Sequence, residues 1–428
     1  MYNSDVDYTR RIVDDELDEL LPYVRALTLE GAKGVGKTAT ATQRANTVFS
    51  LTVARQRAIV QADPDLLVAA DPPVLVDEWQ LVPETWDRVR QAVDDDATAG
   101  HFLLTGSAWP TPDARIHSGA GRILRLRLRP LSFPERQLVA PTVSLRDMMS
   151  GSSGGVEGVS PVRLAQYTEE ILASGFPGMR NLPPRVRRAH LDSYLARVVD
   201  HDLPDNGVIV RRPAAMMAWL TAYAAATSTT ADYAAILNAA TPGDGDKPAR
   251  ATVTAYREAL ERQFLLEPLP AWAPSMSPLR RLVGAPKHHL VDPALTARLL
   301  GVEADALLRG GGNRISASDG PLLGALFESL AVQTTRVLAQ AAEARVWHLR
   351  TKAGEHEIDI IVEDSARRVL AIEVKLNPVV GDAEVSHLMW LRNQIPDRVA
   401  DLMVITTGER AYRRPDGVAV VPLALLGP

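Results

Sequence analysis

Short apolar runs separated by longer stretches of helical period dominate the first third of the chain. Ala26-Leu27-Thr28-Leu29, Val74-Leu75-Val76 and His101-Phe102-Leu103-Leu104-Thr105 read as strands buried on both faces, as in a parallel sheet covered by helices. Their alternation with helices from about Val24 to Glu135 predicts an α/β domain. Ile123–Arg129 has a strict period of two, with leucines on one face and arginines on the other, and predicts a strand with a solvated basic face. Ser150-Gly151-Ser152-Ser153-Gly154-Gly155 predicts a flexible break. A helical stretch follows from about Pro161 to Ala225, interrupted at Gly175-Phe176-Pro177-Gly178 and Pro183-Pro184.

Further on, Asp232–Ala240 and Ala251–Phe264 predict two helices around a Pro/Gly/Lys loop at 241–249, and Leu265–Leu269 begins a strand. That order resembles a winged helix-turn-helix whose second helix, with Arg257 and Arg262 and with Lys247 and Arg250 just ahead, could read a DNA groove. The pattern divides the chain into a P-loop-type α/β domain (1–140), a helical linker domain (141–225), a winged-helix-like segment (226–275) and a C-terminal α/β domain (276–428).

Chemistry first enters behind the first strand. Gly31-Ala32-Lys33-Gly34-Val35-Gly36-Lys37-Thr38 is a complete phosphate-loop pattern, placed between a strand and a helix as phosphate binding requires. Gly31, Gly34 and Gly36 let the backbone amides of this segment, including those of Lys33 and Val35, curl round a polyphosphate. Lys37 would reach the β- and γ-phosphates and Thr38 would ligate Mg²⁺. The strand 74–77 ends in Asp77 and Glu78, placed to hold Mg²⁺ through water and to polarise the attacking water. Ser107, with Thr105 next, is a candidate γ-phosphate sensor, and Arg122 a candidate γ-phosphate arginine acting in cis or across a subunit contact. The cofactors so implied are ATP and Mg²⁺.

A second constellation lies near the C-terminus. Alternation in Glu357–Val362 puts Ile358, Ile360 and Val362 on one face and Glu357 and Asp359 on the other. In Val369–Leu376 the residues Leu370, Ile372, Val374 and Leu376 point inward, and Glu373 and Lys375 point out together. A hairpin through 363–368 would set Asp359 beside Glu373-x-Lys375, the spacing of a metal-dependent phosphodiesterase with two carboxylates on Mg²⁺ and a lysine as catalytic cation. Upstream, Glu328 sits on a helix, Leu322–Leu338, among small neighbours including Gly324 and Ala325, as a supporting acid.

The whole layout resembles proteins that join an AAA-like P-loop ATPase to a C-terminal DUF4143 domain. The resemblance rests on Leu29–Thr38, Val74–Pro83, Leu103–Ser107, Gly121-Arg122, Pro130-Leu131-Ser132-Phe133-Pro134-Glu135, Gly175-Phe176-Pro177, His288–Asp292 and the Asp359…Glu373-x-Lys375 tail. Lys33 stands where arginine is expected, and Ile358 precedes Asp359 where the nuclease motif is named for proline. The resemblance implies a PD-(D/E)xK, restriction-endonuclease-like C-terminal domain preceded by a winged helix.

Bulk properties narrow the partners. With 428 residues the chain has room for about two or three domains. A net charge of −5 argues against binding nucleic acid over the whole surface and leaves DNA or RNA at local patches. The chain has no cysteine, so no disulfide or thiolate metal site, and no apolar run of roughly 18 residues, so no membrane span is expected and a cytoplasmic location is. Three readings follow: an Mg²⁺-dependent ATPase coupled to a nuclease-like domain acting on nucleic acid; a regulatory or signalling ATPase whose nuclease-like domain is an inactive binding module; and an ATPase acting on protein partners.

Overall fold

In the computed structural model, which describes residues 8–107, 119–151, 155–205, 210, 212–241, 250–273, 284–308, 320–351 and 354–428, helix α1 (Ile12–Leu20) leads into β1 (Ala26–Glu30). The phosphate loop and helix α2 (Lys37–Thr42) follow at once, then β2 (Thr47–Ser50), β3 (Val74–Asp77), helix α3 (Glu84–Asp94), β4 (Phe102–Gly106) and β5 (Ile123–Arg127). The five strands form one sheet in the order β2-β3-β4-β1-β5, every pair parallel. Parallel pairing buries both faces of the three central strands, β3, β4 and β1, which is why they lack a polar side. One face packs Val74, Val76, Phe102 and Leu104 against Trp79, Trp86 and Val89. The other packs Leu27, Leu29, Leu75 and Leu103 into the same core as Leu191, Trp219, Tyr223 and Leu295 of the middle segment. The sheet therefore has no private core on that side.

The stretch after β5 belongs largely to the C-terminal body. Strand β6 (Val143–Ser144) pairs with the last strand of the chain, and β7 (Gly158–Val159) adds an edge to the C-terminal sheet. Val143, Met148, Tyr167 and Ile171 share a core with Phe327, Leu330, Ile372 and Met403. The expected break at 150–155 starts where a helix ends on Gly151, in the left-handed region at φ 71, and 152–154 lie outside the described residues.

In the middle segment α4 (Tyr233–Ala240) and α5 (Arg250–Arg262) match the two expected helices, and Asp232 caps the first by accepting from the Ala235 amide at 2.6 Å. Lys247 and the rest of 242–249 lie outside the described residues. The expected strand at Leu265–Leu269 is replaced by isolated bridges, Leu266 to Leu290 and Leu269 to Lys287. Arg257 lies over the Tyr233 ring, 4.5 Å from its centroid, and faces Glu261 at 3.6 Å.

The long helix α6 (Gly320–Ala341) precedes β8 (Arg345–Arg350), β9 (Glu357–Glu363) and β10 (Val369–Val374), which run antiparallel. Helix α7 (Asp382–Gln394) leads to β11 (Val399–Thr406), parallel to β10. β12 (Arg410–Arg413) and β13 (Ala419–Pro422) complete a sheet of order β7-β12-β13-β11-β10-β9-β8, and β14 (Leu426–Gly427) pairs outside it with β6.

Three expectations change here. A register shift in the β8–β9 pairing moves Ile358 into one core with Ile361, while Ile360 and Val362 face the other. Bulges of this kind re-aim side chains next to sites, and this one falls at Asp359. Second, β10 is buried on both faces, so Glu373 is a buried acid rather than part of a solvated face. Third, the arginine face of β5 is not solvated beyond Arg125. Arg129 lies 2.9 Å from Glu267, Arg127 3.9 Å and Arg336 3.4 Å, and Arg127 stacks on Phe264 at 3.7 Å. Burial would raise the Glu267 carboxyl, but the three guanidiniums outweigh it and hold it well below the usual range.

Removing Glu267 leaves three arginines without their counter-charge at the junction of all three segments. Glu267→Ala is expected to destabilise the protein by about 3–5 kcal/mol in urea unfolding, whereas Arg125→Ala, at the exposed end of the same strand face, changes it by less than about 1 kcal/mol.

Candidate functional site

The phosphate loop is built by close approach. A Cβ on Gly31 would lie 2.1 Å from the Leu128 carbonyl oxygen, so only glycine fits between β1 and the end of β5. Gly34 (φ 84) and Gly36 (φ 104) use the left-handed backbone open to glycine. The Lys37 ammonium lies over the loop, 2.9 Å from the Gly31 carbonyl and 3.1 Å from that of Ala32, and burial pulls its pKa down to about 8. The exposed Lys33 ammonium points away from the loop, to Asp202 at 3.2 Å.

The acids of β3 converge on this loop. Thr38 donates to Asp77 Oδ1 at 2.6 Å, Thr105 donates to the same oxygen at 2.7 Å, and Ser50 donates to Oδ2 at 3.2 Å. Glu78 adopts left-handed backbone (φ 56), rare for a residue with a side chain, and its amide donates to Thr105 Oγ1 at 3.2 Å. Its carboxylate accepts from Ser107 at 2.8 Å and from Gln80. Thr105 of β4 and Ser107 just beyond it thus each tie a hydroxyl to one of the two acids at the end of β3. A hydroxyl beside a carboxylate at the exit of a phosphate loop is a donor set that fits Mg²⁺, and Thr38 and Asp77 are the residues that would hold it.

Arg122 is not brought to this site. It precedes β5, and β5 runs parallel to β1 with Ile123 opposite Ala26, so Arg122 sits at the amino edge of the sheet, away from the loop. There it pairs with Asp94 at 2.6 Å and lines a surface cavity of about 800 Å³. Within one chain it cannot serve the γ-phosphate.

Two contacts cover the loop from outside the expected motif. Arg11 donates from Nη1 to the Val35 carbonyl at 3.0 Å, from Nε to Glu135 at 3.0 Å and from Nη2 to the Arg129 carbonyl at 2.8 Å. Glu135 also accepts from the Ile12 amide (2.9 Å) and from the amide and hydroxyl of Ser132 (both 2.7 Å). Both side chains of the pair are buried. Phe176 and Pro177 lie against Gly34 and Gly36. The Gly175 carbonyl accepts from the Leu131 amide at 2.7 Å, and the Gly175 amide donates to Asp292 at 2.6 Å. These contacts explain the Pro130–Glu135, Gly175–Pro177 and His288–Asp292 stretches. Arg11 belongs to none of the motifs in the sequence.

The C-terminal residues also meet. Asp359, on the β9 bulge, accepts from the Val374 amide at 2.9 Å, next to Glu373. Lys375 pairs with Glu373 at 2.7 Å and lies 3.9 Å from Asp359. Glu328 faces the same point from α6 but reaches it through a residue outside the expected set: Lys287 Nζ lies 2.9 Å from Glu328 Oε1, 2.9 Å from Asp359 Oδ1 and 3.1 Å from Glu357 Oε1. Burial would lower the Lys287 ammonium, but the three acids outweigh it and raise it above its ordinary range. Burial and the Asp359 charge push the Glu328 and Glu373 carboxyls up. Among the described residues no group of three or more acids or histidines is arranged to hold a metal ion. The carboxylates here close on lysines, and a divalent cation does not fit them as they stand.

Comparison with known proteins gives three matched segments. Residues 24–137 match an AAA domain model, and residues 323–426 match a domain of unknown function, DUF4143. The chain carries an AAA domain at its N-terminal end and a DUF4143 domain at its C-terminal end. Between them, residues 164–306 match a further domain of unknown function, DUF8612, which spans the expected divisions at 225/226 and 275/276 and includes Lys287. Uncharacterized protein Rv2008c of Mycobacterium tuberculosis and uncharacterized protein Mb2031c of Mycobacterium bovis are each 25% identical over 82% of this chain and 68% of their own length. The Walker-type ATPase PABY2304 of Pyrococcus abyssi aligns over 68% of this chain and 96% of its own at 14% identity, with a TM-score of 0.37, too low a likeness to argue from. The AAA domain match supports ATP binding. Among the described residues no helix is long and apolar enough to cross a membrane.

The crowding at Gly31 gives a direct check. Gly31→Ala is expected to abolish ATP binding in fluorescent-nucleotide titrations. Gly324→Ala, inside α6 where a Cβ would meet only Leu376 at 3.9 Å, leaves binding intact and stabilises by about 0.5–1 kcal/mol.

Proposed function

We propose that this protein is an Mg²⁺-dependent ATP-hydrolysing protein whose nucleotide state is passed to a nuclease-like C-terminal domain that contacts nucleic acid. The observation that carries the ATPase part is the joining of Thr38, Asp77 and Thr105 on one side and Glu78 and Ser107 on the other, at the mouth of a loop that only glycine can form. In this reading Lys37 exchanges its two loop carbonyls for the β- and γ-phosphate oxygens. Glu78, held by Ser107 and Gln80, orients the attacking water and takes its proton. Mg²⁺, when bound at Thr38 and Asp77, supplies charge neutralisation between the β- and γ-phosphates.

Coupling is supported by a continuous chain of short contacts. Val35 of the loop holds Arg11, Arg11 holds Glu135, and Glu135 holds Ser132. The next amide, Phe133, donates at 3.1 Å to Thr334 of α6, less than two turns from Glu328. For the C-terminal domain, convergence of Asp359, Glu373, Lys375 and Glu328 supports the nuclease-like reading. The winged-helix-like segment 226–275 is the proposed second contact with nucleic acid. A regulatory reading, in which the domain binds without cutting, is favoured by one observation: its carboxylates are paired to lysines.

Glu78→Gln is expected to keep ATP binding while turnover falls at least about 100-fold, Lys37→Ala to lose both, and chelation of Mg²⁺ to stop turnover. Phosphate release measured on the three proteins checks this; undiminished turnover in Glu78→Gln contradicts the assignment. Labelled single- and double-stranded DNA and RNA, titrated with and without ATP, test the nucleic-acid part.

A further inference from the structure

The Lys287 ammonium donates to Glu328 Oε1 and to Asp359 Oδ1, each at 2.9 Å, and Glu357 Oε1 faces it as an ion pair at 3.1 Å. The lengths are those of charge-assisted hydrogen bonds; oxygens around Mg²⁺ would stand about 2.0–2.1 Å from the ion. The lysine side chain is 1% exposed, so it has no solvent into which to withdraw. Nor is its backbone free to carry it away. The Lys287 amide donates to the Leu269 carbonyl at 2.9 Å, and the Lys287 carbonyl accepts from the Leu269 amide at 2.8 Å. On the far side of Asp359, Lys375 occupies Glu373. A metal ion is a common reason for a buried cluster of acids, yet here every acid lies within ion-pair distance of a lysine, two lysines serving four acids.

We infer that the Lys287 ammonium stands in the place of a divalent cation at the carboxylate centre, so that the C-terminal domain takes no metal there and binds its ligand without metal-dependent cleavage. The centre is assembled across two matched segments, since Lys287 lies in the DUF8612 match and the acids Glu328, Asp359 and Glu373 in the DUF4143 match. The middle segment thereby supplies the charge that the C-terminal sheet needs to bury its acids. It also pins the sheet to α6 through Glu328. A dication could enter only by expelling a lysine whose loss would leave the docking of the two segments without its ion pairs. The inference rests on reading the domain as nuclease-like, and the test separates the two.

The test is Mn²⁺ binding to the nucleotide-free full-length protein, followed by the electron paramagnetic resonance signal of free Mn²⁺. Wild type, Asp359→Ala, Lys287→Ala and the double variant are compared, with circular dichroism to report folding. Expected is the same Mn²⁺ binding in wild type and Asp359→Ala, and a gained site in Lys287→Ala that the double variant weakens at least about tenfold. A wild-type site that Asp359→Ala abolishes overturns the inference and leaves the nuclease-like reading standing. A folded Lys287→Ala that gains no site overturns both. Should Lys287→Ala fail to fold, Lys287→Gln replaces it, and wild type against Asp359→Ala still decides whether the native centre takes a metal.

Discussion

The buried pair between Arg11 and Glu135 is the contact on which the arrangement of the site depends. A guanidinium this far from water is retained only if its donors are used, and here they are spent on three parts of the chain: the phosphate loop, the end of β5 and Glu135. Glu135 in turn fixes the start of α1 and the Ser132 turn. Loss of either partner strands the other in the core, so the pair fixes how the AAA domain meets the rest of the chain. It also makes the loop's Val35 carbonyl part of an inter-segment network and not merely a local turn.

That network has a physical reason to carry nucleotide state. The sheet shares one core with the middle segment, and Ala32 and Val35 of the loop lie in it, so movement of the loop on that side meets packed side chains. Polyphosphate entering the loop must draw Lys37 from the carbonyls it now holds. The neighbouring Val35 peptide is held by Arg11, and through Glu135, Ser132 and Phe133 the same line reaches the long helix that bears Glu328. The far end is also rigid, because Lys287 clamps that helix to β9.

Much of this was legible in the sequence where a physical requirement leaves a local mark. Apolar-on-both-faces strands announced the parallel sheet, and the glycine spacing with Lys37 and Thr38 announced the loop. The spacing of Asp359, Glu373 and Lys375 announced a shared site because a hairpin has few registers. What stayed hidden depends on distant segments. The arginines of β5 alternate as a solvated face would, and only Glu267 and Arg336, far along the chain, make them an ion-pair core. Arg122 read as a phosphate ligand because it precedes a strand, but parallel pairing puts that end of the strand at the opposite edge of the sheet. Lys287 stands one residue before the quoted His288–Asp292 stretch and looks like any lysine in sequence. The β9 bulge that turns Ile358 over leaves no trace in the alternation of hydrophobic residues.

The central claim is that the loop and the lysine–carboxylate centre are joined through Arg11. Hydrogen–deuterium exchange of the Gly320–Ala341 helix, with and without a non-hydrolysable ATP analogue, in wild type and Arg11→Ala, tests it most directly. The account predicts that the analogue changes exchange in this helix in wild type, and that Arg11→Ala, at analogue concentrations that saturate it, loses the change. An equal change in both proteins, or none in wild type with the nucleotide bound, would contradict it.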